Sequence, residues 1–509
     1  MFVENQRIRE MISQLQSIRN FGKLLEERFA DAIEEAHPQF THSVVNLLNY
    51  LAIRNHNVYE LQNDLGRLGL SRLGKAESHV LASMRAIENH LKRILGDADL
   101  PSKPEFVNFD TGKSLLEEHA CQLLGEQPKD RRVRIMVTFP SEAADDYALV
   151  KNLLLAGMNC ARLNCAHDDE KTWFKMIQNL RKAQEETGLT CKVCMDLAGP
   201  KLRTGSLAPG GLAAKDQKIS LEVGDILILH KDDRPGEPAI LDEKGQIITP
   251  AHIAVPLPNL YRDLQPGENI LFDDGKIEGI IRTVHEDEIR VEITYTPIGG
   301  AKLKAEKGIN LPNSNLSITG LTEKDREDLK FVAAHADVIN MSFVNSARDV
   351  DDLLEELKNL NAPPGVGIIL KIETQKSVIN LPEILIRAMK HYPLGVMIAR
   401  GDLAIECGWK HLAEVQEEIL RICEAAHVPN IWATQVLETV AKTGRPSRAE
   451  ITDAAMAQRA ECVMLNKGPF ILEAISILVD ILESMQFHQE KKAPILPILK
   501  VPENFTFKK

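Results

Sequence analysis

From Arg134 onward the chain alternates two kinds of stretch. Ile135 to Phe139, Asn159 to Ala166 and Cys191 to Ala198 are short, nearly continuous apolar runs, as expected of strands buried on both faces. Ala143 to Ala156 and Glu170 to Thr187 carry apolar residues every three or four positions, as expected of helices. The rhythm breaks near Gly205 and resumes with a helix over Thr322 to Ala334, which opens on the capping pair Thr322 and Asp325. A strand over Asp337 to Val344 and a helix over Arg348 to Leu360 follow. Gly365 to Glu373, Leu394 to Leu403, Asn430 to Gln435 and Cys462 to Asn466 read as further strands, each with a helical stretch after it. Eight strand–helix units, with strands near 135, 160, 192, 338, 367, 396, 431 and 463, predict a (β/α)8 barrel interrupted after its third strand.

The interruption, residues 206–306, has short strands separated by turn signals: Gly210-Gly211, Gly224-Asp225, Pro235-Gly236, Pro266-Gly267, Asp274-Gly275 and Gly299-Gly300. It reads as an inserted β domain, placed where a lid over the barrel would be. Residues 1–130 read as a helical N-terminal extension. Helical spacing is clear in Ile8, Met11, Ile12, Leu15 and Ile18, in Val45, Leu47, Leu48 and Leu51, and in Leu81, Met84, Ile87, Leu91 and Ile94. Pro101, Pro104 and the charged run from Pro128 to Arg134 mark a linker region. The catalytic barrel is expected over 131–205 and 307–490, and a proline-spaced tail over 491–509. Thr111-Gly112-Lys113-Ser114 resembles the end of a phosphate loop, but Val107 stands where that loop needs glycine. Cys191 and Cys194 form a C-x-x-C, yet on a strand positions three apart face opposite ways, so no metal or redox pair is expected.

Composition narrows the class. A chain of 509 residues with 44% apolar content has material for a large core. Its net charge of −12 gives no basic field for nucleic acid. The scattered cysteines fit reduced thiols rather than a disulfide framework. MFVENQRIRE lacks the apolar segment of a signal peptide, and no run is long enough to span a bilayer. A cytoplasmic protein with no membrane or nucleic-acid partner is expected.

Candidate chemistry concentrates between Ile368 and Leu403. Two apolar runs there end in charge, at Lys371-Ile372-Glu373 and at Arg400-Gly401-Asp402. Buried parallel strands meeting charge at their C-terminal ends are where such barrels keep their chemistry. Lys371, Glu373 and Asp402 would share one rim, and two carboxylates with room for substrate phosphate suit Mg2+. The plainer alternative is a buried Lys371–Glu373 ion pair. Arg162 and Asn164 inside an apolar strand are hard to explain structurally, because buried charge must be paired.

Seven segments in order, CARLNCAH (160–167), MDLAGPKLRTG (195–205), EKGINLP (306–312), LKIE (370–373), MIARGDLAIE (397–406), ATQVLET (433–439) and GRPSRAE (444–450), together resemble the pyruvate kinase family over roughly residues 132–487. The resemblance implies a TIM barrel with a β-barrel domain inserted after strand 3. It implies phosphoryl transfer from phosphoenolpyruvate to ADP, giving pyruvate and ATP, as a step of glycolysis. Glu373 and Asp402 match the family's Mg2+ (or Mn2+) ligands, Lys371 the lysine on the transferring phosphoryl, and Arg162 the phosphate-binding arginine. Thr434 matches the threonine linked to enolate protonation, and the backbone at Gly401, beside Asp402, the support for the substrate carboxylate. Asn164, His167, Arg203 and Lys307 match nucleotide-binding positions.

The chain departs from the family's pattern in four places. The monovalent-cation site corresponds to Asn164, Ala166, Asp196 and the Leu197 carbonyl, and Ala166 has no side-chain oxygen. Lys201 stands where the family usually has glutamate; an ammonium beside Asp196 would replace K+, which is expected not to be required. The family's MLSGETA stretch is shortened to one running from Met464 to Phe470, with Lys467 beside the rim. The chain ends soon after the eighth barrel helix, so the usual C-terminal effector domain, and activation by fructose bisphosphate, are not expected. A homo-oligomer is expected, with the helical extension as a replacement interface. Two other readings stay open: a metal-dependent barrel lyase or aldolase acting on a keto-acid enolate, and a non-catalytic sensor of phosphoenolpyruvate or nucleotide.

Overall fold

The computed structural model describes residues 5–97, 105–208, 218–255, 260–317, 319–491 and 493–494. The Gly210-Gly211 turn and most of the 491–509 tail lie outside the described residues. Eight parallel strands close a barrel: β1 (Arg134–Thr138), β2 (Cys160–Asn164), β3 (Lys192–Asp196), β4 (Val338–Met341), β5 (Gly367–Ile372), β6 (Leu394–Ala399), β7 (Asn430–Ala433) and β8 (Cys462–Leu465). Each pairs with its neighbour in sequence, and β8 closes on β1. These are the eight strands expected from the apolar runs.

Strand alternation sorts the barrel interior into layers. Met136, Cys160, Cys194, Val338, Ile369, Met397, Ile431 and Cys462 form an apolar layer inside the barrel. Two residues further along the same faces come Thr138, Arg162, Asp196, Asn340 and Lys371. The interior thus turns from apolar to charged toward the C-terminal ends of the strands. Cys191 joins the outer core while Cys194 joins the inner layer, so the two thiols face apart.

The four N-terminal helices that matter most are α1 (Asn5–Arg28), α2 (Thr41–Arg54), α3 (Val80–Ile94) and α4 (Phe109–Leu124). In α1 the expected stripe of Ile8, Met11, Leu15 and Ile18 is buried. The α3 stripe is rotated from expectation: Val80, Met84, Ile87 and Leu91 are buried, whereas Ile94 is exposed. The rotation buries Glu88 too, where Arg19 and Lys92 neutralise it.

The region expected to be a linker contains α4. Asn108 and Thr111 cap it reciprocally, so the Thr-Gly-Lys-Ser segment lies inside a helix. Its last turn stoppers the barrel: Leu123 and Leu124 belong to the inner apolar layer. A β-carbon on Gly367 or Gly395, at the starts of β5 and β6, would come within 2.7 Å or 2.3 Å of a Leu123 methyl. Glycine at both positions is therefore what admits the stopper.

Three more helices position the site: α5 (Glu323–His335), α6 (Arg400–Cys407) and α7 (Leu412–Ala425). The capping box of Thr322 and Asp325 opens α5 as expected. The N-terminal helices dock on α7 and its C-terminal turn. Asn46 donates to the Ala425 carbonyl at 2.8 Å, and Arg421 pairs with Glu77 at 3.1 Å. The buried His427 ring lies 2.9 Å from Ser43 Oγ and 2.8 Å from the Ser78 carbonyl. The apolar core runs unbroken from these helices into the barrel.

Between β3 and α5 lies the inserted sheet, six strands in the order Ile309–Asn310, Asn269–Phe272, Ile277–Val284, Glu288–Tyr295, Ile226–His230, Ala251–Ala254. Ile219–Leu221 pairs with Ala301–Leu303 beside it. The Asp274-Gly275 turn joins two antiparallel strands of this sheet, with Asp273, Asp274 and Gly275 all at positive φ. The insertion has an apolar core of its own. Among the described residues, no helix is long and apolar enough to cross a membrane.

Candidate active site

The charged layer closes on itself. Lys371 Nζ donates to Ser342 Oγ at 2.8 Å and lies 3.0 Å from Glu373 Oε1 and 3.4 Å from Asp196 Oδ2. Arg162 forks onto the same Asp196 oxygen, with Nε at 3.0 Å and Nη2 at 2.7 Å, and its Nη1 donates to Thr138 Oγ1 at 3.0 Å. Asn340 Nδ2 donates to Asp196 Oδ1 at 2.6 Å, and the Phe343 amide donates to Glu373 Oε2 at 2.7 Å. Lys371 and Arg162 each keep 9% of their surface exposed, so two cations and two carboxylates are held almost out of water. Such a group survives burial only because every member is paired and hydrogen-bonded.

Electrostatics follow from this geometry. Burial opposes the charge on Lys371, but Glu373 and Asp196 hold its ammonium above the ordinary lysine value. Burial likewise opposes the charge on Asp196, yet Arg162 and Lys371 hold it below the usual carboxylate range. Glu373 is raised, by burial first and by the charge of Asp402. That influence puts Glu373 and Asp402 within electrostatic reach of each other, although they follow different strands.

Asp402 sits in the first turn of α6. Its two oxygens accept from Lys201 Nζ at 2.7 and 3.0 Å. This corrects the expectation that Lys201 lies beside Asp196. Both Asp196 oxygens are already taken, by Arg162 and Asn340, and Lys201 pairs with Asp402 instead. Asn310, from the inserted sheet, donates to Glu406 Oε1 at 2.9 Å and approaches Asp402 at 3.5 Å. Burial, with help from Asp402, pushes Glu406 up to about 7.

The loop after β7 faces the same rim. Thr434 Oγ1 accepts from the Gly401 amide at 2.7 Å and donates to the Ala433 carbonyl at 2.7 Å. Arg400 ties the two loops, donating to the Ala433 carbonyl at 2.9 Å and the Thr434 carbonyl at 2.5 Å while pairing with Asp453. Thr434, Gln435 and Leu437 all have positive φ, as does Phe343 after β4. Non-glycine residues take that conformation at a cost, and such strain gathers at working sites. A β-carbon on Gly401 would rest in ordinary contact with the Thr434 side chain, at 3.7 Å.

The nucleotide candidates divide. Asn164 and His167 line a cleft of about 350 Å³ together with Arg162, Trp173, Lys442 and Lys467. Arg203 and Lys307 do not line it. They lie in the paired stem of the inserted sheet, where Arg203 donates to the Glu306 carbonyl at 3.1 Å and Lys307 Nζ contacts Asp273 at 2.7 Å. The donors of the expected monovalent-cation site are engaged within the protein. Asn164 Oδ1 accepts from the Ala166 amide at 3.1 Å, and the Leu197 carbonyl accepts from Ser342 Oγ at 2.7 Å.

Sequence reasoning passed over Thr138, Asn340, Ser342 and Glu406. Asn340 and Ser342 did carry a signal: polar residues two apart on the inward face of an otherwise apolar strand. Among the described residues, no group of three or more His, Cys, Asp or Glu is placed to hold a metal. Glu373 and Asp402 are the two carboxylates that could hold a divalent ion; here the Glu373 oxygens are engaged by Lys371 and the Phe343 amide and the Asp402 oxygens by Lys201, and Mg2+ typically takes one or two carboxylates and fills its remaining positions with water and substrate oxygens.

Comparison with known proteins bears on the chain's family. The family model described as "Pyruvate kinase, barrel domain" matches residues 130–471. Pyruvate kinase of Geobacillus stearothermophilus is 34% identical over 355 residues, which cover 68% of this chain and 56% of that protein. Pyruvate kinase of Staphylococcus saprophyticus is 32% identical over 372 residues, covering 71% and 58%. Pyruvate kinase of Staphylococcus aureus strain USA300 is 31% identical over 369 residues. The chain therefore spans a little over half the length of the curated relatives it matches.

Proposed function

Because the chain belongs to the pyruvate kinase family, we propose that its barrel moves the phosphoryl group of phosphoenolpyruvate to ADP, giving pyruvate and ATP. The observation that carries this reading is the charged layer of Lys371, Arg162, Asp196 and Glu373, with Asp402 at its edge. Phosphoryl transfer asks a protein to position partners and neutralise moving charge. Lys371 brings an ammonium already held by Ser342, and Arg162 a guanidinium whose fork matches phosphate oxygens. Asp196 keeps both cations in place without occupying every donor. Thr434, pinned between Gly401 and Ala433, holds a hydroxyl on the opposite loop, where the resemblance assigns it to enolate protonation. The Gly401 amide, which here donates to Thr434 Oγ1, is the backbone group to support the substrate carboxylate. Asn164 and His167 serve the nucleotide from the cleft, and Arg203 and Lys307 from the stem of the inserted sheet. Glu373 and Asp402 are the residues to hold Mg2+ (or Mn2+), which when bound supplies Lewis-acid stabilisation of substrate oxygens.

The same reading includes independence from K+. Ala166 contributes no side-chain oxygen, Asn164 Oδ1 and the Leu197 carbonyl are internally engaged, and Lys201 brings a fixed positive charge to the rim through Asp402. One coupled assay tests both parts: purified protein, Mg2+, phosphoenolpyruvate and ADP in tetramethylammonium buffer. Pyruvate and ATP are expected, with turnover unchanged on adding K+. Lys371→Met is expected to lower turnover by about 10²–10³, as removal of a preorganised donor does. No pyruvate from the parent chain, or full turnover by the variant, would overturn the assignment. A tenfold gain with K+ would remove the cation claim alone.

A further inference from the structure

Thr434 is held in a conformation that a β-branched residue adopts only under constraint. Its φ is 65°, and Gln435 and Leu437 follow at 57° and 46°. Such a backbone persists only where its surroundings over-determine it. The constraint here is Arg400. Its Nε donates to the Ala433 carbonyl at 2.9 Å and its Nη2 to the Thr434 carbonyl at 2.5 Å. Those carbonyls belong to the peptide planes on either side of Thr434, so fixing both fixes its φ and ψ. The guanidinium is in turn held on two sides. Asp453, from the helix Arg448–Met456, takes Nη1 and Nη2 as a forked pair, the second at 2.8 Å. The Trp432 ring lies against it, 4.7 Å from centroid to Cζ, and the Trp432 Nε1 donates to the same carboxylate at 3.3 Å. Each Arg400 nitrogen therefore has a protein acceptor, and the cation acts on backbone rather than on phosphate.

We propose that Arg400, Asp453 and Trp432 form a positioning clamp for the proton step of the reaction and not for the phosphoryl step. The proposal rests on the phosphotransferase reading and on the role the resemblance gives Thr434. Once the phosphoryl group has left, the enolate must gain a proton at its methylene carbon. The electron pair of the C=C bond takes that proton to form the new C–H bond, and the enolate oxygen closes to the keto group. The proton comes from the Thr434 hydroxyl, which solvent replenishes. The Gly401 amide fixes the hydroxyl oxygen at 2.7 Å, and its proton rests on the Ala433 carbonyl. Arg400 Nε donates to that same carbonyl, so one of its two lone pairs already faces a cationic donor and its hold on the Thr434 proton is weakened. Lys371 and Arg162, the cations for the phosphoryl group, are held by Ser342 and Asp196 instead, so phosphoryl transfer does not depend on the clamp.

The two steps are read separately on the full chain. Exchange of the pyruvate methyl hydrogens in D2O, with Mg2+ and ATP present and followed by NMR, reports the proton step. ATP formed from phosphoenolpyruvate and ADP, detected directly, reports phosphoryl transfer. Asp453→Ala frees the guanidinium, and Arg400→Lys keeps the charge but loses the fork. Each is expected to slow exchange by about 10- to 100-fold, the effect of losing a hydrogen bond to a charged group. ATP formation should change by about twofold or less, as for a substitution away from the working groups. Arg400→Lys keeps the test valid if Asp453→Ala does not fold. Thr434→Ala, the control, should lose exchange to at least the same extent. Equal proportional loss of both rates, or exchange unaffected in both clamp variants, would overturn the clamp while leaving Thr434 in its role. Full exchange in Thr434→Ala would remove Thr434 from the proton step and the clamp with it. No ATP from the parent chain would overturn the phosphotransferase reading on which both stand.

Discussion

Ser342 holds the ammonium of the proposed chemistry, although no motif pointed to it. It accepts from Lys371 and donates to the Leu197 carbonyl, fixing the ammonium from the β4 side. Ser342→Ala leaves that ammonium one acceptor short. A hydrogen bond to a charged group is worth about 1.5–3 kcal/mol, so turnover is expected to fall by about 10- to 100-fold. The alkaline limb of the pH–rate profile should move with it, because Lys371 loses a partner of its charged form; a role in folding alone would leave that limb in place. Lys371, Glu373 and Asp402 were legible because they end apolar runs in charge, and Arg162 because it stands inside one. Neither pattern revealed that Asn340 completes Asp196, and without that fact Lys201 seemed free to approach it. Which of two carboxylates an ammonium reaches depends on side chains from a third strand, which spacing along the chain does not encode.

Among elements, α4 was the least legible and is the most consequential. Its flanking prolines and charges suggested a linker, and its apolar residues gain meaning only against a barrel mouth assembled from strands far along the chain. Leu123 has no exposed surface and fits above two glycines. Leu123→Ala is expected to destabilise the protein by about 2–5 kcal/mol, the range for emptying a packed leucine site. Urea denaturation measures the loss; turnover per folded molecule should stay the same, since the catalytic rim lies at the other end. A change below about 0.5 kcal/mol, the size of an ordinary surface substitution, would mean the stopper is not packed as described. The barrel strands, by contrast, were all read from the sequence, because buried parallel strands announce themselves as unbroken apolar runs.

For the whole molecule, the governing fact is that the inserted sheet keeps a core of its own. The N-terminal helices share a first core with the outside of the barrel, whose interior holds a smaller cluster. All three tryptophans, Trp173, Trp409 and Trp432, lie in the barrel portion. Fluorescence therefore follows the first core, while far-ultraviolet circular dichroism follows both. The two unfolding curves are expected not to coincide, which is the standard sign that a chain is not two-state. Superimposable curves would show that the stem contacts of Lys201 and Asn310 bind the cores into one cooperative unit.

The stopper helix also decides where this protein can be cut. A recombinant fragment begun at residue 130, the start of the stretch shared with the family, would leave the lower mouth of the barrel wet. Ile369, Met397 and Cys462 would then face solvent in place of a leucine side chain. The smallest piece worth expressing starts upstream of that boundary, because the portion that looks most like an add-on is the cork of the portion that looks most like an enzyme.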